Sequence, residues 1–359
     1  MNSSSQPVFG VIGAGFIGCI HLDALRAAGL RVAAVADPSP AAREKASQFA
    51  PGARLYSDWR ELLADPEVTA VNICTINALH FDLLTAAVAS GRHVFCEKTM
   101  TVNAAQARQA LNLVPAPGQI IQVGYMKRFF PASQWVKEHL GKIGKPLCAT
   151  VRSFQGGFVE NGEEIYDAPD WRPGPDGPSK TRAFASAGML NMAGSHMLDM
   201  TAWLLGSPRS ITCRTWAPEG YDAELHAHAL FEMRNDTLVH FEVCLAPYHG
   251  TGIYGIGWDE FIQIDGTLGR IEIYYPLWNR PMDHPVRVRL YQERSRTWEE
   301  PEFEPVNVFQ LELESFARCC ASRQPAQPSI QEAARVDLWI DSCYESARLG
   351  QTVPAADFS

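Results

Sequence analysis

The first third of the chain alternates short apolar runs with segments whose apolar residues recur at helical spacing. Val8–Ile12 and Val32–Ala36 are apolar runs of strand length, and Phe16–Ala28 between them has the pattern of an amphipathic helix. Alternation of this kind predicts a parallel, doubly wound α/β sheet over residues 1–125. Its further strands are predicted from Ala70, His93 and Ile120, and its further helices over Ala41–Phe49, Phe81–Ser90 and Asn103–Val114.

From residue 126 onward the pattern favours an α+β domain that extends to residue 359. One amphipathic helix, Pro131–Leu140, is followed by runs of alternating or β-branched residues, which are typical of antiparallel strands. A turn at Asn235-Asp236 predicts a hairpin. Helices at the C-terminus are expected to pack back against the sheet or against the first domain. Strands are predicted from Leu147, Ile211, Ala227, Leu238, Glu260 and Arg270, helices over Leu190–Leu205, Phe309–Ala321 and Ile330–Leu349, and a long loop at Asp167–Pro178.

Composition and charge narrow the class of protein. A chain of 359 residues exceeds the usual span of one hydrophobic core, which agrees with two domains. The net charge of −9 and the absence of any Lys/Arg run argue against a nucleic-acid partner. Met1–Pro7 lacks the basic start and apolar stretch of an export signal, and no apolar run reaches membrane-spanning length. We therefore expect a cytoplasmic protein with no membrane partner.

The cysteines and histidines do not predict a metal site. Cys74 and Cys96 stand inside apolar strand-like runs, and no C-x-x-C pair occurs, so the nine cysteines are interpreted as reduced thiols. His226 and His228 have the spacing of one strand face, but no third ligand stands near them in the sequence. They are interpreted as ordinary strand residues.

A glycine motif predicts a dinucleotide site. Gly13, Gly15 and Gly18 have the G-x-G-x-x-G spacing between a strand and a helix, with Phe16 and Ile17 inside the motif. The first glycine permits the tight turn, the second lets the backbone approach a pyrophosphate, and the third allows close packing of helix on strand. The helix N-terminus then receives the diphosphate charge.

Asp37 supports NAD as the cofactor. It ends the second strand, where a carboxylate accepts hydrogen bonds from the adenosine ribose and repels the extra phosphate of NADP. No arginine follows it directly, which favours NAD over NADP. The alternative is that Asp37 only caps the next helix.

Two residues are candidates for the reacting centre. Lys98 follows a predicted central strand, at the sheet edge where α/β proteins place ligands. Hydride removal from an alcohol needs a cation near the oxygen and a group that takes the proton, which suits Lys98 and His196. His196 could instead be a structural helix residue. Asp199, one helical turn later, could orient the imidazole or form a salt bridge, and we favour the salt bridge.

At this point the chain resembles the Gfo/Idh/MocA oxidoreductases over nearly its whole length. The motifs that carry the resemblance are GVIGAGFIG, TIN with His80, EKT from Glu97, VGYMKRFFPA from Val123, WR at Trp171, the H-x-x-D helix at His196, and GTLGRI from Gly266. The resemblance implies a Rossmann domain, followed by an α+β domain whose large open, mainly antiparallel sheet forms homo-oligomer contacts. It also implies a sugar or polyol substrate, such as a pyranose or an inositol.

The resemblance assigns roles to individual residues. Lys98 and His196 match the family's lysine and histidine, so both are expected at the catalytic centre and at the substrate, with Lys98 also near the cofactor. Further cofactor contacts are implied for Thr75, Asn77 and His80 on the nicotinamide side and for Glu97 at its ribose; contacts with substrate or cofactor are implied for Arg128, Trp171 and Arg172.

Two positions depart from the family pattern. Thr99 replaces the proline that follows the lysine, so the backbone there loses its fixed φ. Met192 stands where many members have aspartate four residues before the histidine, and Asn191 could serve in its place at the substrate. Four aromatic residues could form a wall that stacks on a sugar ring or could instead fill a subunit interface: Tyr248, His249, Tyr254 and Trp258.

Two other polar residues receive structural interpretations. Lys127 is expected to face solvent, and His21 to be a packed polar residue rather than a catalyst. For the whole chain we predict an NAD-dependent dehydrogenase that acts on a secondary alcohol of a sugar or polyol. Two alternatives stay open, a glycosidase that uses transient oxidation by bound NAD and a non-catalytic NAD-binding regulator.

Overall fold

A computed structural model describes residues 6–156, 188–217, 223–245 and 250–356. The chain divides into two compact units. The first contains Met1–Met126 and Asn307–Asp337, and the second contains Lys127–Val306 and Leu338–Ser359. Each unit is therefore built from two separate stretches of chain. The predicted loop Asp167–Pro178 lies outside the described residues.

The first unit contains a parallel sheet of six strands in the order β3-β2-β1-β4-β5-β6. This order, with a helix between successive strands, confirms the predicted doubly wound α/β fold. All four residues of β1 are buried, as expected for a strand covered on both faces. The strands are β1 Phe9–Ile12, β2 Val32–Ala36, β3 Arg54–Tyr56, β4 Ala70–Ile73, β5 His93–Glu97 and β6 Ile121–Gly124.

The helices of the first unit refine the predicted boundaries. The helix predicted from Phe81 begins at Asn77, and the helix predicted to end at Val114 ends at Ala110. The strand β3 and the helix that follows it are too short and too polar for a periodicity signal, and the sequence did not predict them. The helices are α1 Phe16–Ala27, α2 Pro40–Phe49, α3 Trp59–Ala64, α4 Asn77–Ala89 and α5 Ala104–Ala110.

The second unit contains a mixed sheet of nine strands. Its order is β14-β13-β12-β11-β7-β10-β9-β8-β15. The strands β7 and β10 pair in parallel, and every other pair of neighbours in this sheet is antiparallel. The predicted α+β class and the mainly antiparallel sheet are confirmed. The strands are β7 Pro146–Gln155, β8 Pro208–Trp216, β9 His226–Met233, β10 Leu238–Leu245, β11 Trp258–Gly266, β12 Gly269–Tyr275, β13 Arg287–Gln292, β14 Thr297–Glu299 and β15 Val353–Pro354.

The turn at Asn235-Asp236 joins β9 to β10 as predicted. Asp236 has φ 70°, a left-handed conformation that aspartate tolerates better than most residues, and its N–H donates to the carbonyl of Met233. Along both strands, buried residues alternate with more exposed ones. One face of this hairpin therefore packs on the core and the other faces solvent.

Four further helices complete the described structure. They are α6 Pro131–His139, α7 Ser195–Leu205, α8 Val308–Ser322 and α9 Ile330–Leu349. A π-helical turn, Leu190–Gly194, precedes α7, so the helix predicted from Leu190 becomes regular only at Ser195. In the first unit α8 packs on α1. Among the helices described, none combines the length and apolar character needed to span a bilayer.

Candidate active site

The glycine loop between β1 and α1 has the geometry of a phosphate-binding turn. Gly13 has φ +91°, and a Cβ there would lie 2.7 Å from the carbonyl oxygen of Cys74. A Cβ on Gly18 would lie 2.0 Å from the oxygen of Gly13, whereas a Cβ on Gly15 would meet nothing within 4 Å. Two glycines are thus required for close packing, and the third faces open space, as the sequence predicts.

The environment of the α1 N-terminus suits an anion. No side chain caps it, and its first turn carries no acidic residue. Phe16, at its first position, is 60% exposed, while Ile17 is partly buried. The positive end of the helix dipole therefore lies at the edge of the sheet, with no acidic side chain in the first turn to neutralise it.

Asp37 follows β2 and holds two neighbouring loops. Its Oδ2 accepts a hydrogen bond from the N–H of Ala14 at 2.8 Å, and its Oδ1 accepts one from the N–H of Ser39 at 2.8 Å. The carboxylate thus ties the glycine loop to the start of α2, where Ser39 supplies the side-chain cap. Each carboxylate oxygen can accept more than one hydrogen bond, so these contacts leave acceptor capacity for a ribose hydroxyl.

The loops after β4 and β5 are joined by hydrogen bonds. His80 is fully buried, with Nδ1 2.8 Å from the carbonyl oxygen of Thr99 and Nε2 3.0 Å from that of Thr75. Asn77 Nδ2 donates to Thr99 Oγ1 at 3.0 Å. Burial lowers the pKa of His80, and a neutral imidazole, which carries one N–H, donates to only one of these two carbonyls at a time. The structure therefore brings Thr75, Asn77 and His80 together, but the imidazole of His80 is directed at backbone carbonyls.

Lys98 lies at the carboxyl end of β5, partly exposed. Its backbone N–H donates to Oε2 of Glu97 at 3.1 Å, and the Lys98–Thr99 peptide bond is cis. Thr99 itself is fully buried, and its side chain and carbonyl hydrogen bond to Asn77 and His80 in the first turn of α4. The backbone that the family pattern fixes with proline is thus held here by hydrogen bonds to Asn77 and His80.

The carboxylate of Glu97 points into the interior of the first unit. Its Oε1 lies 2.8 Å from Nε2 of His21, and Nδ1 of His21 accepts from Nδ2 of Asn72 at 3.0 Å. Because the amide of Asn72 is the donor, Nε2 of His21 carries the proton and donates to Glu97. His21 is fully buried, in agreement with its interpretation as a packed polar residue.

Glu312 on α8 completes a buried cluster with His21 and Glu97. The ligand-type atoms of the three side chains lie within 4.8 Å of one another. Glu312 is fully buried, and within the described part of the chain neither of its carboxyl oxygens has a hydrogen-bond partner. Burial, with a smaller effect from the charge of Glu97, raises the pKa of Glu312 well above its usual range. The carboxyl group therefore favours its neutral form.

We expect Glu312→Gln to change how stability depends on pH. A carboxyl group whose pKa is raised by folding keeps its proton in the folded state while the unfolded chain loses it, so its contribution to stability falls as pH rises above the ordinary value near 4.5. Glutamine cannot titrate. The stability of the wild type relative to the variant should therefore be lower at pH 8 than at pH 5, as measured by urea unfolding at both values.

The matched control is Glu314→Gln, which removes a partly exposed carboxylate from the same helix. Between pH 5 and pH 8, the free energy of unfolding of the wild type relative to the variant must change more for Glu312→Gln than for Glu314→Gln. If the two variants behave alike, Glu312 is not held neutral by its burial.

In the second unit, His196 lies in the first turn of α7, partly exposed. The preceding π-helical turn carries Asn191, which is 7% exposed. Glu224 fixes the start of this turn, since its Oε1 accepts from the N–H of Leu190 at 2.8 Å and from the hydroxyl of Tyr344 at 3.1 Å. Burial raises the pKa of Glu224. An irregular turn directly before a candidate catalytic helix residue is a common feature of functional sites.

Arg128 and Asp199 form a buried salt bridge in the second unit. Nε of Arg128 donates to Oδ2 of Asp199 at 2.8 Å, and a terminal nitrogen donates to Oδ1 at 2.6 Å. Both side chains are almost completely buried. Asp199 therefore forms the salt bridge that the sequence interpretation favoured. This pair uses Nε and one terminal nitrogen of Arg128. A contact between Arg128 and the substrate stays a prediction.

The expectation that Lys127 faces solvent is wrong, and Trp258, one of the candidates for an aromatic wall, is buried. Lys127 is only 2% exposed, and its Nζ donates to Oε2 of Glu260 at 2.5 Å while lying 4.3 Å from the ring centre of Tyr275. Trp258 belongs to β11, is 1% exposed, and donates from Nε1 to the same Glu260 oxygen. The buried carboxylate of Glu260 therefore accepts hydrogen bonds from both side chains. Lys127 does not face solvent, and Trp258 does not offer an exposed face for a sugar ring.

Other predicted residues are not placed at a site. Tyr254 stacks on His284 and donates its hydroxyl hydrogen bond to the carbonyl of Pro285. Four predicted residues lie outside the described residues, namely Trp171, Arg172, Tyr248 and His249.

Sequence reasoning missed the buried partners of the candidate site. Asn72, Glu224 and Glu312 are polar residues inside or beside apolar segments, and that is the one signal that could have singled them out. Periodicity does not reveal which residue each of them meets, because the partners are far away in the chain.

Comparison with known proteins defines the class. Residues 8–125 match the family model described as "Oxidoreductase family, NAD-binding Rossmann fold", and residues 139–272 match the GFO/IDH/MocA C-terminal domain. Together these matches cover more than half of the chain. The protein belongs to the Gfo/Idh/MocA family of oxidoreductases, and its first unit is an NAD-binding Rossmann domain.

Individual relatives extend the comparison. Inositol 2-dehydrogenase 2 from Saccharopolyspora erythraea is 25% identical over 363 residues, which cover 96% of this chain and 94% of the relative. Levoglucosan dehydrogenase from Pseudarthrobacter phenanthrenivorans is 29% identical over 58% of this chain and 54% of its own. The solved complex of levoglucosan dehydrogenase with NADH has the same fold, with a TM-score of 0.82 at 21% identity over 99% of this chain and all of that one.

The residues of the first unit fit NAD. A side chain at Gly13 or Gly18 would clash with neighbouring backbone, whereas Gly15 faces open space. The N-terminus of α1 has no side-chain cap that would compete with a phosphate. A carboxylate stands at the end of β2, as ribose recognition requires. Thr75 and Lys98 follow β4 and β5, so both lie at the same carboxyl edge of the sheet as the glycine loop.

Proposed function

We propose that this protein is an NAD-dependent dehydrogenase that oxidises a secondary alcohol of a sugar or polyol. The observation that carries the proposal is the position of Lys98 at the carboxyl edge of the sheet, two strands from the glycine loop in the order β1-β4-β5. The relatives named above support the substrate class, since an inositol and an anhydrosugar are both polyhydroxylated rings. NAD, when bound, accepts the hydride.

Lys98 and His196 are proposed to handle the hydroxyl proton. A lysine ammonium near the substrate oxygen favours the alkoxide-like charge that develops as the hydride departs. The imidazole of His196 can both accept and donate a proton, which suits transfer of the hydroxyl proton. Glu97 positions the backbone of Lys98, because its carboxylate accepts a hydrogen bond from the backbone N–H of Lys98. The same carboxylate also accepts a hydrogen bond from His21.

Binding and positioning are proposed for the remaining residues. We assign the pyrophosphate to the backbone of Gly13–Gly18 and the adenosine ribose to Asp37. Thr75 and Asn77 are proposed to line the nicotinamide side, with the imidazole of His80 packed between the carbonyls of Thr75 and Thr99. The ribose contact of Glu97 and the substrate contacts of Arg128, Asn191, Trp171 and Arg172 stay predictions.

A substrate screen tests the proposal directly. The purified protein is incubated with NAD and a panel of monosaccharides, anhydrosugars, inositols and sugar acids, and NADH is followed by absorbance. We expect net NADH formation with at least one polyhydroxylated ring. Glycoside cleavage without net NADH would indicate the elimination mechanism, which the dehydrogenase relatives do not favour. NAD binding with no turnover of any compound would indicate a regulator.

Asp37→Ala is expected to relax the preference for NAD over NADP. Loss of a charged hydrogen-bond acceptor costs roughly 1.5–3 kcal/mol, so the ratio of kcat/KM for NAD to that for NADP should fall by about 10- to 100-fold. Asp37→Asn is the control, because it keeps an acceptor for the N–H of Ala14 but removes the charge. An unchanged ratio in both variants would remove Asp37 from ribose recognition.

A further inference from the structure

Two histidines and a glutamate meet on the face of the second unit's sheet that the rest of the described chain leaves uncovered at His228 and His240. His228 lies on β9, and His240 and Glu242 lie two residues apart on β10. The antiparallel register places His228 directly opposite Glu242, while His240 is opposite Leu230, two residues further along β9. One imidazole nitrogen or carboxylate oxygen from each of the three lies within 4.8 Å of the other two.

The geometry of the two imidazoles suits a shared ion. The rings of His228 and His240 are 6.3 Å apart between centres and inclined by 28°. Two imidazoles that bind one zinc ion, each at about 2.0–2.1 Å, have ring centres roughly 5 Å apart. Both histidines are exposed, so small rotations of their side chains can supply the difference. Hydrogen bonds of the β9-β10 ladder meanwhile hold the backbone.

The carboxylate of Glu242 is already oriented toward the histidines. Its Oε1 accepts a hydrogen bond from Nε of Arg152, and its Oε2 lies 3.6 Å from Nδ1 of His228. A partner that fixes a ligating carboxylate from behind is typical of metal sites. The positive charge of Arg152 opposes a bound cation, but Asp259 offsets it through a hydrogen bond to the same guanidinium at 3.3 Å.

We propose that His228, His240 and Glu242 bind one divalent transition-metal ion of the zinc class. Two neutral imidazoles and one carboxylate are a ligand set that zinc accepts, with solvent in the fourth position. The neighbouring pair His226 and Cys244 lies on the same face, directly opposite each other. Neither belongs to the cluster of three, whose ligand atoms lie within 4.8 Å of one another.

Calorimetric titration of the full chain with zinc chloride tests this site. The protein is prepared without an affinity tag and is first treated with a chelator. We expect one ion per chain, and a loss of affinity of about tenfold or more in His228→Ala, His240→Ala and the more conservative His240→Gln. His226→Ala is the matched control, because it removes an imidazole from the same strand face, and it should keep the wild-type affinity.

A thermal measurement supplies a second readout. Binding to the folded state alone should raise the Tm of the wild type as zinc is added, and should raise it less in His240→Gln. Three results would overturn the proposal: an absence of zinc binding, equal affinity in the wild type and both alanine variants of the proposed ligands, or a loss in His226→Ala as large as theirs. None of these readouts depends on NAD or on turnover, so they are separate from the proposed dehydrogenase activity.

Discussion

Replacement of Lys98 by alanine is expected to lower kcat by about 10²- to 10⁴-fold, while the dissociation constant for NAD stays close to that of the wild type. The reason is that the ammonium is proposed to act on charge that develops only in the transition state. The cofactor is instead held mainly by the glycine loop and Asp37, which the substitution does not touch. Buried Glu97 and Thr99 on either side keep their own hydrogen bonds, so the loop should retain its shape.

Steady-state kinetics with the best substrate of the screen, together with NAD titration by fluorescence, measure the two quantities separately. Lys145→Ala is the control for removal of a lysine, because Lys145 is an exposed residue of the second unit that pairs with Asp236. A Lys98→Ala enzyme with wild-type kcat would remove the proposed role. A loss confined to NAD affinity would place Lys98 in cofactor binding only.

Asp199→Leu is expected to lower the free energy of unfolding by about 3–5 kcal/mol. Both partners of the Arg128–Asp199 pair are buried, with side-chain exposures of 4% and 0%, and two charge-assisted hydrogen bonds join them. Removal of the carboxylate takes two charge-assisted hydrogen bonds and the negative charge of Asp199 away from a guanidinium that stays buried. The cost is therefore dominated by desolvation of Arg128 rather than by loss of the attraction itself.

A double variant separates these two contributions. Arg128→Met combined with Asp199→Leu replaces the pair by apolar side chains of similar length, and we expect it to be more stable than Asp199→Leu alone in urea unfolding. Glu232→Ala, which breaks an exposed pair with Arg209, should change stability little. If the double variant is less stable than the single one, the uncompensated charge of Arg128 is not the cause of the loss.

The sequence predicted most of the first unit because its signals are local. A strand of four or five apolar residues, a glycine turn and a helix occupy consecutive positions, so Phe9–Ile12, Gly13–Gly18 and Phe16–Ala27 follow from patterns within one short stretch. Parallel strands joined by helices then have few allowed orders, because such connections are right-handed. Arg54–Tyr56 was missed, since three partly exposed residues give no periodicity.

The candidate site was predicted less completely. The sequence singles out Asp37 and Lys98 because each stands at the end of a recognisable strand. It singles out His196 because that residue stands in the family's order of motifs. By contrast, Lys127 was expected in solvent and is buried against Glu260, more than a hundred positions later in the chain. A long charged side chain beside an aromatic run is compatible with either environment, and only its partner decides which one applies.

The sequence by itself determined which segments become strands and helices, where the nucleotide loop lies, and to which oxidoreductase family the chain belongs, since each depends on residues close together along the chain. Tertiary structure decided which polar and charged side chains meet in the interior. His21 meets Glu97 and Glu312, and Arg128 meets Asp199, through contacts that span 71 to more than 200 positions. It also decided that residues 307–337 fold with the first unit. Such pairings are selected by the cost of burying a charge, which depends on three-dimensional surroundings and leaves no periodic trace in the chain.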